Sequence, residues 1–468
     1  MDFIVYIALF GWPAVVFILF TVMPPRRAVM VGMLGAWLFL PIASIKLVPG
    51  IPDVTKMFVT CVGVFMGAMI FDPGSFTRLR WSVADLAMVV WLLVPVVSSI
   101  TAGFGVYDGL SASSNQVISW GLPYAIGRLY FGDVRALREL ALGVFIAGLV
   151  YTPLVLFEAR MSPQLHTWVY GYHQHSFAQS RRADGWRPTV FMQHGLAVAM
   201  FMGTAAVCGM WLWFAGKLRV LAKVPVWTLA TGLFVVAGMC RSTYALMLML
   251  SGIAVLFACR VFCTRAMLVV LLLIAPAYIS MRTVGGWNAV ELRDISSVMA
   301  EDRQGSLKVR LDSEDAMWKW LQGNQLFGRT RLEGLLTADS NLYGAFVPDG
   351  LWLISVGKYG VVGLSAMLGV LLLPPLLFLA RHPPRVLMTS DLAGAMSLLT
   401  VLALYAMDNL MNAMVNPIYL LAAGGLGVAI APAISRPVGF PEESRPASTR
   451  QAALFSSPVP EPAAQEQA

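Results

Sequence analysis

Four of the five histidines in this chain lie between residues 166 and 194, in a stretch that also contains three arginines. Imidazole groups exchange protons near neutral pH, and arginine grips phosphate or carboxylate oxygens through a planar fork of N–H donors. The stretch therefore predicts a site that holds an anion and can move a proton. Its members are His166, His173, His175, His194, Arg181, Arg182 and Arg187.

His173 and His175 form an H-x-H pair, a spacing that also occurs in metal sites. Because a third ligand does not follow at a matching spacing, the sequence predicts no metal ion and no other cofactor. We expect these two imidazoles to contact oxygens of a substrate. Five tryptophans fit either an aromatic platform for sugar rings or the aromatic belt at a lipid–water boundary: Trp168, Trp186, Trp318, Trp320 and Trp352.

Arginine also occurs at three other notable positions. Arg128 lies inside an apolar run, Arg241 lies at the end of another, and Arg310 precedes a Trp-rich stretch. Arginine near hydrocarbon is costly and usually faces a cavity or a partner. Snorkelling or pairing with a carboxylate explains any one of them. Arg187, Arg241 and Arg310 together favour a site for a diphosphate, which the arginine fork binds in a bidentate manner.

The elements that position these residues are apolar helices. Hydrophobic residues make up 58% and charged residues 12% of the 468 residues, and the mean hydropathy of +0.72 lies outside the range of soluble domains. The apolar runs are continuous and close to the ~20 residues that cross a bilayer. They predict an all-α, polytopic helical membrane protein with about 12–13 transmembrane helices, the first of them a retained span. The predicted spans are 3–23, 28–47, 54–71, 83–103, 117–132, 139–157, 189–213, 224–240, 244–259, 266–281, 359–380, 391–408 and 417–433.

Basic residues recur in the short loops that follow every second span. These loops all lie on one side of the membrane, and their positive charge predicts that this side is cytoplasmic. This pattern also accounts for the net charge of +8 without a nucleic-acid partner. The five cysteines lie in or beside apolar runs and are predicted to be buried thiols. The predicted organisation is an N-terminal bundle (1–157), a first extracytoplasmic loop (158–188), central helices (189–281), a second long loop with an interfacial helix (282–358), C-terminal helices (359–433) and a disordered cytoplasmic tail (434–468).

Four short motifs carry a resemblance to a known family. GSLKVRLDSEDAMWKWLQGNQLFGRT begins at Gly305, and PDGLWLISVGKYGVVG begins at Pro348. RPTVFMQHG at 187–195 and CRSTY at 240–244 are two shorter matches. By these motifs, their order and their predicted side of the membrane, the chain resembles the O-antigen ligase and polymerase (Wzy-like) family of bacterial envelope enzymes over roughly residues 115–430.

The resemblance implies transfer of an oligosaccharide from an undecaprenyl-diphosphate carrier to a hydroxyl of an acceptor glycan, on the periplasmic face of the bacterial inner membrane. It implies no nucleotide sugar and no required metal ion. Ligases of the family typically place His where this chain has Asp349, so the predicted base is Asp349 or His194. Arg187, Arg241 and Arg310 are predicted to stabilise the departing diphosphate. The other predicted substrate contacts are Arg128, His173, His175, Trp186 and Asp408.

Three alternatives stay open at this point. Polymerase and ligase need the same arginine clamp and base, so the sequence does not separate them. A transporter or flippase of lipid-linked oligosaccharide predicts polar residues deep in several spans, where this chain offers only Arg128. A non-catalytic subunit of envelope assembly predicts that Arg187→Ala is tolerated.

Overall fold

The computed structural model describes residues 2–48, 50, 52–182, 185–296, 301–333, 346 and 348–429. The predicted tail and parts of the second predicted long loop lie outside these residues. In chain order the helices are α1 (Phe3–Val22), α2 (Pro25–Phe39), α3 (Lys56–Phe71), α4 (Ala84–Thr101), α5 (Gly105–Gln116), α6 (Leu122–Tyr130), α7 (Val134–Met161), α8 (Leu165–Tyr170), α9 (Gly195–Phe214), α10 (Val226–Met239), α11 (Thr243–Val261), α12 (Ala266–Thr283), α13 (Val290–Ser296), α14 (Glu301–Trp320), α15 (Leu351–Arg381), α16 (Pro384–Leu387), α17 (Ala393–Met411) and α18 (Pro417–Ala429).

Short irregular turns and ribbons connect these helices. Turns of 3-10 helix span Pro73–Arg78, Phe177–Ser180 and Ser390–Leu392, and a π-helical turn, Val117–Gly121, joins α5 to α6. Across the described residues the β-structure consists of antiparallel pairs of two-residue strands. They are Ser44–Ile45 with Val54–Thr55, Arg181–Arg182 with Gly185–Trp186, and Val220–Leu221 with Val224–Pro225.

Eight helices in the described part of the chain are long and apolar enough to cross a bilayer. They confirm the all-α, multi-pass class. These helices are Phe3–Val22, Ala84–Thr101, Val134–Met161, Gly195–Phe214, Thr243–Val261, Ala266–Thr283, Leu351–Arg381 and Ser390–Met411. Each of the other predicted spans also contains helix, but in shorter pieces, so the finer count of 12–13 crossings stays a prediction.

Several predicted spans differ from the observed helices in their ends, and the span predicted from 359 begins as helix already at Leu351. The span predicted over 28–47 is helical only to Phe39, because Pro41 has no N–H to continue the helix and disfavours helix before it. The span predicted from 189 begins as helix at Gly195. Residues 187–192, just before this helix, are buried and have an irregular backbone.

Two helices form the centre of the fold. In the most apolar 18-residue window of α9, 89% of the residues are buried. The corresponding share is 83% in the stretch that contains α17 and 22% in α1. The outer helices therefore present apolar side chains to lipid, while α9 and α17 contact protein on nearly all sides. The glycines of the GGLG motif at 424–427 allow α18 to pack closely on α6, since a side chain at Gly424 would overlap the backbone of Tyr124.

Helix α15 is interrupted at Gly360, whose φ of 65° and ψ of −165° are open to glycine but not to other residues. The segment 325–330 bonds the backbone groups that the interruption exposes. Val361 donates its N–H to the carbonyl of Gln325 at 2.8 Å, and the carbonyl of Lys358 accepts from Thr330 at 2.9 Å. This bracing fixes the first half of α15, and with it the residues just before the helix.

The sequence predicts a short interfacial helix here, with Met317, Trp320 and Leu321 on its apolar face. A helix is present and Trp320 is partly exposed, but Met317 and Leu321 are fully buried in protein. Met317 packs where a side chain at Gly357 of α15 would otherwise stand. The part of this face around Met317 is therefore covered by α15.

Candidate functional site

The predicted site residues meet where one set of helices ends and another begins. At this end, which we call the site end, α7, α10, α12 and α17 finish and α9, α11, α15 and α18 start. Contacts between residues 158 and 189, 187 and 241, 244 and 407, and 351 and 412 bring these termini together. Most of the predicted site residues lie here, in two groups.

The first group is centred on an ion pair between α14 and the start of α15. Nε of Arg310 donates to Oδ2 of Asp349 at 3.1 Å, with the two side chains 24% and 41% exposed. Gly350 begins α15, and Leu351 donates its N–H to the carbonyl of Asn412 at 3.1 Å, which anchors the turn that carries Asp349. The pair that the sequence predicted as anion clamp and base is therefore brought together, and solvent reaches it.

Asp408, predicted as a glycan contact, lies behind this pair. It is 5% exposed, and its Oδ1 accepts from the side-chain amide of Asn412 at 2.7 Å. Arg310 is close enough to stabilise its charge, and the hydroxyl of Tyr244 donates to the neighbouring carbonyl of Met407 at 2.6 Å. In this position Asp408 supports the Asn412 turn.

The second group is built on the segment 187–194. Nη2 of Arg187 donates to the carbonyl of Arg241 at 2.9 Å. Arg187 is buried, with 8% of its surface exposed, whereas Arg241 is exposed. Each arginine lies against a glycine: a side chain at Gly195 would overlap Arg187, and one at Gly185 would overlap the Arg241 guanidinium. The two glycines of the RPTVFMQHG and DGW stretches thus leave room for the two cations.

Three buried side chains and the partly buried Gln174 hold this segment, and the sequence did not single out any of them. Oε2 of Glu158 accepts the N–H groups of Thr189 and Val190 at 2.8 and 2.7 Å, and Oε1 accepts that of Leu165 at 3.0 Å. The hydroxyl of Tyr151 accepts the N–H of Phe191 at 3.0 Å. Glu158 and Tyr151 are both fully buried.

On the carbonyl side, Nζ of Lys56 donates to Phe191 and Trp37 at 3.1 and 3.0 Å, and the amide of Gln174 donates to the carbonyls of Val190 and Met192. Irregular backbone beside lipid persists only where protein satisfies its polar groups, and these side chains do so. A charged residue at the end of an apolar run, as at Lys56 and Glu158, was the available sequence signal.

The histidines surround this segment in different states. His194 starts α9, and its Nδ1 accepts the N–H of Leu196 at 3.1 Å. The ring of His175 meets it edge-to-face at 4.8 Å, and His173 packs against Phe177, which in turn packs against Trp186. The predicted contacts His173, His175, His194 and Trp186 are therefore brought to one surface.

His166 is a structural residue. It is 1% exposed, accepts the N–H of Ile42 at Nε2 and bonds the carbonyl of Tyr172 through Nδ1 at 2.8 Å. Burial lowers the pKa of His166 to about 4, and the nearby Lys56 and His173 act in the same direction. The imidazole is accordingly neutral at physiological pH and ties the 44–55 ribbon to the 165–172 segment.

The two groups join through the CRSTY turn. Arg241 has a positive φ of 52°, which turns its carbonyl toward Arg187, and Ser242 caps α11 by accepting the N–H of Ala245. Two residues further on, Tyr244 reaches the end of α17 beside Asp408. The turn therefore links Arg187 to Tyr244 and Asp408, and the charge of Arg310, the partner of Asp349, acts on both of them.

Arg128 does not belong to this arrangement, and its predicted place among the diphosphate contacts needs correction. It pairs with Asp85 at 2.7 Å, both side chains being nearly inaccessible, and Asp85 also accepts from the hydroxyl of Tyr124 at 2.8 Å. Arg128 lies against Gly427, near the end of α18, whereas the site end is where α18 starts. Ten helical residues, or roughly 15 Å along the helix axis, separate Gly427 from the start of α18 at Pro417. A buried carboxylate therefore explains Arg128, as the alternative interpretation allowed.

Among the described residues, no group of three or more His, Cys, Asp or Glu side chains is placed to hold a metal ion. Comparison with protein-family models and with curated proteins finds no match to this chain.

Among the described residues, the site end brings together the buried cation of Arg187, the accessible cations of Arg241 and Arg310, and the half-exposed carboxylate of Asp349. Arg187, Arg241 and Arg310 supply N–H donors for an anion of more than one charge. His194 is a poor base, because a lone pair of Nδ1 is already used by Leu196 and the neutral ring then carries its proton on Nε2. It can donate from Nε2. Asp349 is half-exposed beside Arg310, so its carboxylate is placed to take a proton.

Proposed function

We propose that this protein transfers an oligosaccharide from a polyprenyl-diphosphate carrier, of the undecaprenyl type, to a hydroxyl group of an acceptor glycan or lipid-linked glycan. The observation that carries this proposal is the grouping of Arg187, Arg241 and Arg310 with Asp349 at one end of the apolar helices. A diphosphate attached to a lipid tail would lie at this end of the helices, with its charge beside the arginines and its tail in the bilayer.

The proposed reaction is a displacement at the anomeric carbon. The acceptor hydroxyl attacks, Asp349 takes its proton, the bond from the anomeric carbon to the diphosphate oxygen breaks, and the diphosphate leaves with that electron pair. The three arginines stabilise the charge that grows on the leaving group, in a partly buried setting where such interactions are strong. The Nε2 proton of His194 gives one further donor.

We place the reaction on the periplasmic face of the bacterial inner membrane, because the short loops at the opposite ends of the helices hold the basic residues typical of the cytoplasmic side. Polymerase and ligase activity follow from the same residues and differ in the acceptor.

A transporter of lipid-linked oligosaccharide is the second candidate, and the interruption of α15 at Gly360 is the observation that favours it. Transporters use interrupted helices to offer backbone groups to a substrate. Here, however, Gln325 and Thr330 bond the groups beside the interruption. A bracing role for the segment explains the interruption without transport.

The test is turnover of an undecaprenyl-diphosphate oligosaccharide by the full chain in nanodiscs, with and without EDTA. Arg187→Ala is the informative variant, and Arg160→Ala, an exposed arginine near the end of α7, is its matched control. We expect release of carrier diphosphate in both EDTA arms, preserved in Arg160→Ala and reduced at least about 100-fold in Arg187→Ala. A ladder of products identifies a polymerase.

Three results contradict the proposal. An intact donor across a panel of repeat units and acceptors, together with movement of the donor across a bilayer, supports the transporter. Full activity in Arg187→Ala removes the clamp from the mechanism and, if the chain is needed only for assembly, supports a structural subunit. Loss of turnover with EDTA shows that a metal ion takes part.

A further inference from the structure

A cavity of about 290 Å³ opens between the end of α12, helix α14 and the start of α15. Three indole rings line it, those of Trp287, Trp318 and Trp352, and aliphatic side chains of α14 and α15 complete the apolar part. The polar lining consists of Arg282, Asn288, Glu314, Asp315 and Lys319, besides Thr283.

The charges around the cavity largely neutralise one another. Arg282 donates from Nε to Oε2 of Glu314 at 2.7 Å and from Nη2 to Oδ1 of Asp315 at 2.8 Å. Its Nη1 donates to the carbonyl of Trp287 at 2.6 Å, and the hydroxyl of Tyr278 donates to Glu314 at 2.9 Å. The carboxylates of Glu314 and Asp315 face the cavity, and Arg282 is already paired with them. The cavity therefore does not suit a phosphate. It suits a neutral ligand with hydroxyl groups.

The indole rings contribute apolar surface. Nε1 of Trp287 donates to Glu291 at 2.7 Å, and Nε1 of Trp352 donates to the carbonyl of Leu410 at 3.2 Å. Neither acceptor lines the cavity, so the polar edges of these two rings are committed elsewhere. Trp318 is partly exposed and stands at the same wall.

We propose that this cavity is a subsite for one neutral pyranose ring of the glycan, an inference that rests on the proposed function and deepens it. A pyranose has an apolar C–H face, which packs on an indole, and a rim of hydroxyls, which pair with carboxylates and an ammonium group such as Glu314, Asp315 and Lys319. The volume lies at the lower limit of small-molecule pockets, roughly 300 Å³, which fits a single ring.

The subsite directly adjoins the proposed reaction centre. Glu314 follows Arg310 by one turn of α14, so the two side chains are neighbours on one helix face. Trp352 follows Asp349 by three residues across the turn that begins α15. A ring held in the cavity therefore belongs to a sugar next to the bond that forms or breaks, where its position controls the alignment of the reacting hydroxyl and anomeric carbon.

The experiment is saturation-transfer-difference NMR of the full chain in nanodiscs with a panel of neutral methyl glycosides of glucose, galactose, mannose and N-acetylglucosamine. We expect saturation of the ring C–H protons in at least one of them. Trp318→Ala should weaken that binding at least about tenfold, the effect of losing a stacked aromatic face. Trp318→Phe, which keeps an aromatic face, should recover part of it.

Trp81→Ala, at a tryptophan that is 77% exposed and precedes α4, is the matched control and should bind like the unmodified chain. The subsite is overturned if no glycoside of the panel is saturated, or if Trp318→Ala and Trp81→Ala give equal signals. The two proposals fail separately: glycoside binding without donor turnover contradicts the transferase, while turnover without glycoside binding contradicts the subsite.

Discussion

The two halves of the candidate site are built in opposite ways. The half around Arg187 rests on irregular backbone that buried Glu158, Tyr151 and Lys56 hold in place. The half around Arg310 and Asp349 is a half-exposed ion pair between two helix termini. The first half is therefore part of the fold, and substitutions in it should lower the free energy of unfolding. Substitutions in the second half should have little effect on folding.

Removing the buried acceptor of the first half should have the largest effect. In Glu158→Ala three backbone N–H groups lose their partner, and each buried N–H without one costs about 1–3 kcal/mol. We expect the free energy of unfolding in detergent to fall by about 3 kcal/mol or more, read as a large drop in the thermal midpoint.

Glu139→Ala tests whether this effect is specific to burial. Glu139 lies on the same helix, is 38% exposed, and pairs with Arg26 at 3.6 Å. Its removal should cost under about 1 kcal/mol, as for other surface ion pairs. Similar losses in the two variants would mean that the 187–194 segment does not depend on its buried anchor.

Asp349→Asn should show the reverse behaviour in the second half. The amide keeps the shape of the side chain but cannot take a proton, so we expect turnover to fall at least about 100-fold. The thermal midpoint should stay nearly unchanged, because the pair with Arg310 is half-exposed.

Asp312→Asn provides the matched comparison for this variant. Asp312 is a half-exposed carboxylate on α14 that pairs with Arg293 at 2.7 Å. Its replacement should leave turnover within a few-fold of the unmodified chain. If both variants lose activity equally, the effect comes from the packing of α14 and Asp349 is not the base.

The same contrast explains which features could be predicted from sequence. Apolar runs predicted the helices, and the ends of those runs drew attention to Arg187 and Arg241, because both signals are local in the chain. Arg310 was singled out by the Trp-rich stretch that follows it. The anchors Lys56 and Glu158 were not predicted, since their partners are backbone groups of a segment more than 30 residues away. Arg128 was assigned wrongly because its partner, Asp85, lies on another helix and only the fold shows the pair.

The first half should also be sensitive to acid. The pKa of His166 is about 4 in the folded chain and about 6.5 when the chain is unfolded, so the unfolded state binds more protons between these values. Stability is full above pH 6.5 and is lost as the pH falls toward 4. Protonation also places a proton on Nε2 opposite the N–H of Ile42.

The measurement is the thermal midpoint across that pH range, in the unmodified chain and in His166→Asn. The variant should be less stable overall but should lose less stability on acidification. If the two slopes are equal, the acid sensitivity arises from other groups and the neutral state of His166 contributes nothing to it.

The smallest expected effects come from replacing the accessible arginines by lysine. Arg241→Lys and Arg310→Lys keep the charge but lose the fork, and each should raise KM for the donor by about tenfold or less. Their combination asks whether the two halves bind one ligand. If one diphosphate contacts both cations, the double variant should depart from additivity by about 0.5 kcal/mol or more in binding free energy, because residues that share a ligand are coupled. Additive losses would mean that the halves bind separate groups, and the clamp would then reduce to Arg187 and Arg241 alone.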